Sequence, residues 1–254
     1  MKTFISVIIM GMLALACEKP QEESPFHDGI EWQGENETAN YLAMQGLRHL
    51  INVEREKAYV LFEEAVKVDS SLFASHTALA LLSRGEKRDY HKMMAQKFAE
   101  GKNEASKLYV SLLDIANDST GNDERAEVWA KMHALSNGPF IHLRYASSRN
   151  DIAETIQELD KLDSFMSSIG GNTAAIHNLK GYMLKAQGDL AGGTAEIEKY
   201  VELYPDGYNP LDSRAEFYLF AGDTLKAIEY YKKTVERFPF AISARYTLND
   251  LDKH

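Results

Sequence analysis

The chain has 254 residues, 44% of them hydrophobic and 26% charged, which excludes an extended disordered chain, a collagen-like fibre and a multispanning membrane protein. Its 28 Lys and Arg against 38 Asp and Glu leave a net charge of −10; that surface repels phosphate backbones, and with no basic run interleaved with aromatics, nucleic acid is excluded as a partner class. A single cysteine rules out an intrachain disulfide framework and every multi-cysteine metal site.

Residues 1–16 begin with one cationic group, Lys2, followed by an apolar run from Phe4 to Ala16 that ends in small residues. The run is too short to cross a bilayer as a helix and suits the apolar region of an export signal. Cys17 follows at once, and Leu13-Ala14-Leu15-Ala16-Cys17 resembles the lipobox of bacterial lipoproteins, with Ala14 standing where that family prefers Leu. The resemblance implies that Cys17 is acylated and exposed by cleavage. At about 0.8 kcal/mol per buried methylene, two or three acyl chains hold a protein on a membrane permanently. Residues 17–35 are then expected to form an acidic flexible tether, because Glu18–Glu35 carry six acids, one lysine and two prolines. Glu18 beside the cysteine departs from the inner-membrane retention signal of enteric bacteria, and the acidic stretch resembles the surface-export signals of some bacterial lipoproteins. The expected location is therefore the cell envelope, lipid-anchored at the outer membrane, with the periplasmic and surface faces both open.

From residue 36 onward apolar residues recur at helical spacing, and no run alternates as a strand does. Two stretches repeat at an offset of 34 residues: Gly181 pairs with Ala215, Gly188-Asp189 with Gly222-Asp223, Gly193 with Ala227, Ile197 with Tyr231, and Pro205 with Pro239. Gly then Asp supplies a helix C-cap followed by an N-cap, a minimal turn between antiparallel helices. Small residues at 193 and 227 let paired helices approach, and the large residues four positions later fill the space between them.

Leu211, Ala215, Tyr218, Ala227, Tyr231 and Pro239 resemble, in order, the signature of the tetratricopeptide repeat (TPR). A third copy runs through Leu42, Gly46, Ala58, Phe62 and Ala65. The resemblance implies an all-α, right-handed superhelical α-solenoid of about six TPR-like helix-turn-helix repeats over residues 36–254. Repeats are clear at 39–72, 174–207 and 208–241 and degenerate between 73 and 173, and residues 243–254 read as a capping helix remnant.

Chemical motifs are sparse. No two of the eight histidines sit four apart, and none belongs to a zinc-protease pattern. His91 with Met93 and Met94 reads as helix packing rather than a copper site. Asp118–Glu124 places its glycine fourth rather than sixth, so it reads as a capped turn and not a calcium loop. Neither a nucleophile elbow nor a P-loop occurs, and carboxylate pairs such as Glu198 and Glu202 fall on solvated helix faces. The expectation is a protein without catalytic residues, metal or cofactor. What the TPR resemblance does imply is a groove lined by the first helix of each repeat. Its positions fall on Asn178, Tyr182 and Lys185 in the fifth repeat and on Asp212, Glu216 and Phe220 in the sixth. This set departs from the dicarboxylate clamp of chaperone-binding members, which needs several Lys and Asn. The implied function is a membrane-anchored, non-enzymatic scaffold that binds a peptide or helix of a protein partner. The alternatives are a subunit of an outer-membrane protein assembly machinery and a small-ligand or glycan binding lipoprotein.

Overall fold

The computed structural model describes residues 29–251 except Asn117 and Asn137. The expected signal segment, Cys17 and most of the tether thus lie outside the described residues, as do 252–254. Thirteen helices and no strand occur among the described residues: Glu37–Ile51 (α1), Arg55–Val68 (α2), Phe73–Leu82 (α3), Gly85–Ala99 (α4), Glu104–Ser111 (α5), Asn122–Leu135 (α6), Pro139–Ser147 (α7), Ile152–Ser168 (α8), Ala174–Ala186 (α9), Leu190–Leu203 (α10), Asn209–Phe220 (α11), Thr224–Arg237 (α12) and Ile242–Leu251 (α13). None is long and apolar enough to cross a membrane. Each odd-numbered helix packs on the even one that follows, giving six hairpins and a last helix. The expected all-α repeat of about six units is therefore the observed fold.

Local chemistry explains the hairpins. Gly188 and Gly222 take left-handed backbone angles, φ +91° and +79°, and the next residues, Asp189 and Asp223, cap α10 and α12 by accepting from the N–H of Gly192 and Lys226. Inside the first and fifth hairpins a small residue faces a large one. A Cβ at Gly46 would stand 2.9 Å from the Phe62 ring, and one at Gly181 would stand 2.9 Å from Ile197 Cδ1. The third hairpin differs, since two 3-10 turns, Leu112–Asp114 and Ser119–Gly121, separate α5 from α6. In the second of these turns Asp118 Oδ1 accepts from the Thr120 N–H, while Arg125 donates to Asp118 O and Asn122 Oδ1. A cation is thus already supplied by the chain where a calcium loop would need one. Met93 is exposed, so of the helix-packing group read from the sequence His91 is the buried member.

Part of the expected tether is instead folded. Trp32 is 2% exposed and packs against Phe62, Tyr109 and Phe140, with ring centroids 6.3, 5.5 and 5.6 Å away. Ile30 is buried beside it, and Glu31 is held by the Asn103 N–H at 2.8 Å and Lys102 Nζ at 3.0 Å. The average polarity of residues 17–35 concealed two residues whose burial is worth several kcal/mol together.

A second departure concerns the path of the whole chain. The turn between α1 and α2 meets the segment between α10 and α11, about 150 residues on. Glu54, 0% exposed, accepts from the N–H groups of Tyr208 at 2.6 Å and Asn209 at 3.3 Å and from Tyr204 OH at 3.0 Å. His49 Nδ1 at 2.6 Å and Lys57 Nζ at 3.2 Å complete its shell. Tyr200 OH donates to Asn52 O at 3.0 Å. The first hairpin is therefore tied to the fifth and sixth, and the repeat does not run as an open array.

Candidate interaction groove

The six groove positions come together on the adjacent first helices α9 and α11. Asn178, 6% exposed, accepts from Ser213 Oγ at 3.1 Å. Tyr182 OH donates to Glu216 at 2.5 Å, and its ring lies edge-on to Phe217 at 5.3 Å. Lys185 Nζ sits 3.8 Å from the Phe220 ring centroid, a cation–π contact that uses the one lysine of the set. These pairs bridge residues about one repeat apart, as side-by-side stacking of equivalent helices requires. They also leave most of the lining already partnered.

Asp212 is the exception. Its Oδ1 is shielded from solvent and has no hydrogen-bond partner among the described residues. Burial, then the neighbouring charges of Glu216 and Glu56, push this carboxyl up to about 7. Glu56 lies on α2 and belongs to the site only because the first hairpin closes on the sixth; its Oε2 accepts from Tyr208 OH at 2.5 Å. The Tyr182 phenol is likewise pushed upward, by burial first and by Glu216 second. The face is thus a patch of three acids, with Tyr182 and Tyr208 as hydrogen-bond donors and Phe217 and Phe220 as apolar floor. Such a patch gains most from an incoming cation, which relieves the mutual repulsion of the acids.

Glu54 and Glu56 were not among the positions named from the sequence. The signal for Glu54 was present as a broken pattern: Val53-Glu54 stands where the later repeats have Gly188-Asp189 and Gly222-Asp223. Val53 accordingly adopts φ +62°, costly for a β-branched residue. Glu54 makes no side-chain cap for α2 and instead caps α11 from the far end of the chain.

A separate cleft of about 520 Å³ lies between α2, α3 and α4, lined by Glu63, Lys67, His76, Lys87, Tyr90 and His91 among others. In its wall His76 Nδ1 and His91 Nδ1 are 2.9 Å apart, and His76 Nε2 reaches Ser70 O at 3.2 Å. Burial and the neighbouring His91 bring His76 down to about 4, so His76 is neutral at pH 7, and burial lowers His91 as well.

No family model and no curated protein matches the chain. Solved structures do. The human IFIT1 dimer with m7Gppp-AAAA is similar at 17% identity and a TM-score of 0.51 over 78% of this chain. This chain spans 50% of the IFIT1 chain. TTC0263, a thermophilic TPR protein in Thermus thermophilus, is similar at 14% identity and a TM-score of 0.37 over 85% of this chain and 100% of that one. YrrB, a TPR protein with an unusual peptide-binding site, is similar at 14% identity and 0.33 over 83% and 91%. At such identities the likeness is one of fold, and with the thirteen helices and their pairing into hairpins it makes the chain an all-α helical-repeat protein.

Proposed function

We propose that the chain is a non-enzymatic protein-interaction scaffold, held at the outer membrane by acylated Cys17, whose α9 and α11 face takes a partner segment bearing a basic side chain. The observation that carries this reading is Asp212: a shielded, unpartnered carboxylate oxygen beside Glu216 and Glu56. A Lys or Arg entering there supplies the missing donor and the missing charge at once. The groups around Asp212 are acids and phenols rather than a base paired with a nucleophile, which supports recognition over catalysis. The m7Gppp-AAAA of the IFIT1 structure does not transfer to this reading, because a net charge of −10 with three acids on the face opposes phosphate.

A photo-crosslinking residue in place of Phe220, used in living cells, is expected to give one dominant protein adduct that disappears when Asp212→Lys is added. An adduct indifferent to that charge reversal, or none at all, overturns the groove reading. Anchoring is tested separately: Cys17→Ala should release the chain from membranes, and a variant that still sediments with them after a carbonate wash removes the lipid anchor from the proposal.

A further inference from the structure

Three consecutive helices of the third and fourth hairpins converge on a cluster that the groove does not use. His133 lies in the last turn of α6, His142 in the first half of α7 and Glu158 in the middle of α8. One ligand-type atom from each falls within 4.8 Å of the other two. His142 Nε2 and Glu158 Oε2 are 3.0 Å apart. The two imidazoles lie 4.6 Å apart between centroids, tilted by 38°, and His133 stacks on Tyr145 at 4.4 Å and 15°. Tyr145 therefore fixes the plane of a ring that would otherwise be free to turn. His133 Nδ1 is shielded from solvent and has no hydrogen-bond partner among the described residues. Leaving a buried polar atom unsatisfied is unfavourable, and a ligand at this nitrogen would relieve it.

We propose that His133, His142 and Glu158 form a binding site for a single divalent transition metal of the zinc class. Two imidazoles and one carboxylate are a borderline nitrogen and oxygen donor set, suited to Zn²⁺ and, by the usual affinity order, to Ni²⁺ and Cu²⁺, rather than to the all-oxygen shells of Ca²⁺ or Mg²⁺. Metal–ligand bonds of about 2.0–2.2 Å at tetrahedral angles separate donor atoms by roughly 3.3–3.6 Å. The His142–Glu158 pair is already within a few tenths of an ångström of that spacing. The remaining approach is a swing of the His133 side chain, which no main-chain hydrogen bond from the described residues opposes. Three protein donors leave the fourth position to water or to a partner's side chain. The ion would join α6, α7 and α8 across the boundary of two hairpins, adding to the His142–Glu158 contact already there. Lys161 Nζ, 2.6 Å from Glu158 Oε1, works against the ion through its charge and leaves Oε2 as the ligating oxygen.

Sequence spacing could not show the site, because zinc motifs on one helix place ligands four residues apart and these three come from separate helices.

The test titrates Zn²⁺, and Co²⁺ as a spectroscopic probe, into the full chain carrying Cys17→Ser, so that the only thiol is absent. One equivalent of metal is expected to bind, with Co²⁺ giving a ligand-field absorption and Zn²⁺ raising the melting temperature. His133→Ala and His142→Ala should each abolish the signal, Glu158→Gln should weaken binding at least tenfold, and Lys161→Ala should tighten it. His91→Ala, in the other histidine pair, should leave it unchanged. If His142→Ala fails to fold, the more exposed His133→Ala decides. A chain that takes up no stoichiometric metal, or one whose metal survives both histidine substitutions, overturns the proposal. None of these readouts depends on the α9 and α11 face, so failure here and failure of the groove reading are distinguishable.

Discussion

At Asp212 the carboxyl is pressed between like charges with one oxygen cut off from water, and ionising it costs free energy that no partner returns. Its folded value of about 7 lies above the ordinary 3.8. Between those two values the folded chain keeps a proton that the unfolded chain has released, so this group's contribution to stability falls as pH rises from about 4 to 7 and stays lost above that. Three pKa units correspond to about 4 kcal/mol at most, and partial exposure reduces this to roughly 2. Asp212→Asn is therefore expected to stabilise the fold by about 2 kcal/mol at pH 8, with the gain shrinking toward zero as pH approaches 4, measured as urea midpoints across that range. A gain independent of pH would mean that Asp212 is not strained by its charge. His76 acts in the opposite sense: with its folded value near 4, below 6.5, it contributes stability above pH 6.5 that is lost as pH falls toward 4. The identity of Asp212 as a groove position was legible from the repeat register. Its altered chemistry was not, since burial, its largest cause, is a product of tertiary packing, and Glu56, a further cause, belongs to the first hairpin and is brought near only by tertiary closure.

At the scale of elements, what the sequence revealed was what depends on neighbours in the chain. The Gly-Asp turns, the small-against-large pairs and the helical period are local, and the structure places them as their chemistry requires. Trp32 escaped this reading because it packs on residues 30 to 108 positions away, in a stretch whose average composition is that of a linker. Gly193 gives a sharper test of the hairpin logic. Helix propensity alone predicts that Gly193→Ala stabilises α10 by about 1 kcal/mol. In the structure the added Cβ would lie 2.7 Å from Gly181 O and 3.0 Å from the Phe217 ring, so α9 and α10 must separate or α11 must give way, at an overpacking cost of about 1–3 kcal/mol. Net destabilisation of about 1 kcal/mol or more is expected, seen as a lower denaturant midpoint at unchanged slope. A more stable variant would show that the two helices have slack and that their close approach is not what the glycine provides.

Across the whole molecule the decisive feature is that the repeat folds back on itself. In an open solenoid each hairpin touches only its neighbours, and a perturbation fades within a repeat or two. Here Glu54 replaces the capping Asp of the later repeats and carries its charge to the start of α11, where the main-chain N–H groups of Tyr208 and Asn209 and the helix dipole favour an anion. Burial pushes the Glu54 carboxyl up, yet the hydrogen bonds from His49 and the main chain and the charge of Lys57 outweigh it and hold the group below the usual carboxylate range. Its loss leaves two main-chain donors, a phenol and a lysine without their common partner. Glu54→Ala is expected to cost about 3 kcal/mol, at the low end for a broken buried ion pair because Lys57 and His49 keep some solvent. The distribution of that loss decides the architecture. Hydrogen exchange should quicken both in α1 and α2 and in α10 and α11, some 150 residues away, while α6 to α8, nearer in sequence to the substitution than α10, keep their protection. If protection instead declines smoothly from the first hairpin outward, the chain behaves as an open array, and Glu56 no longer belongs to the groove around Asp212.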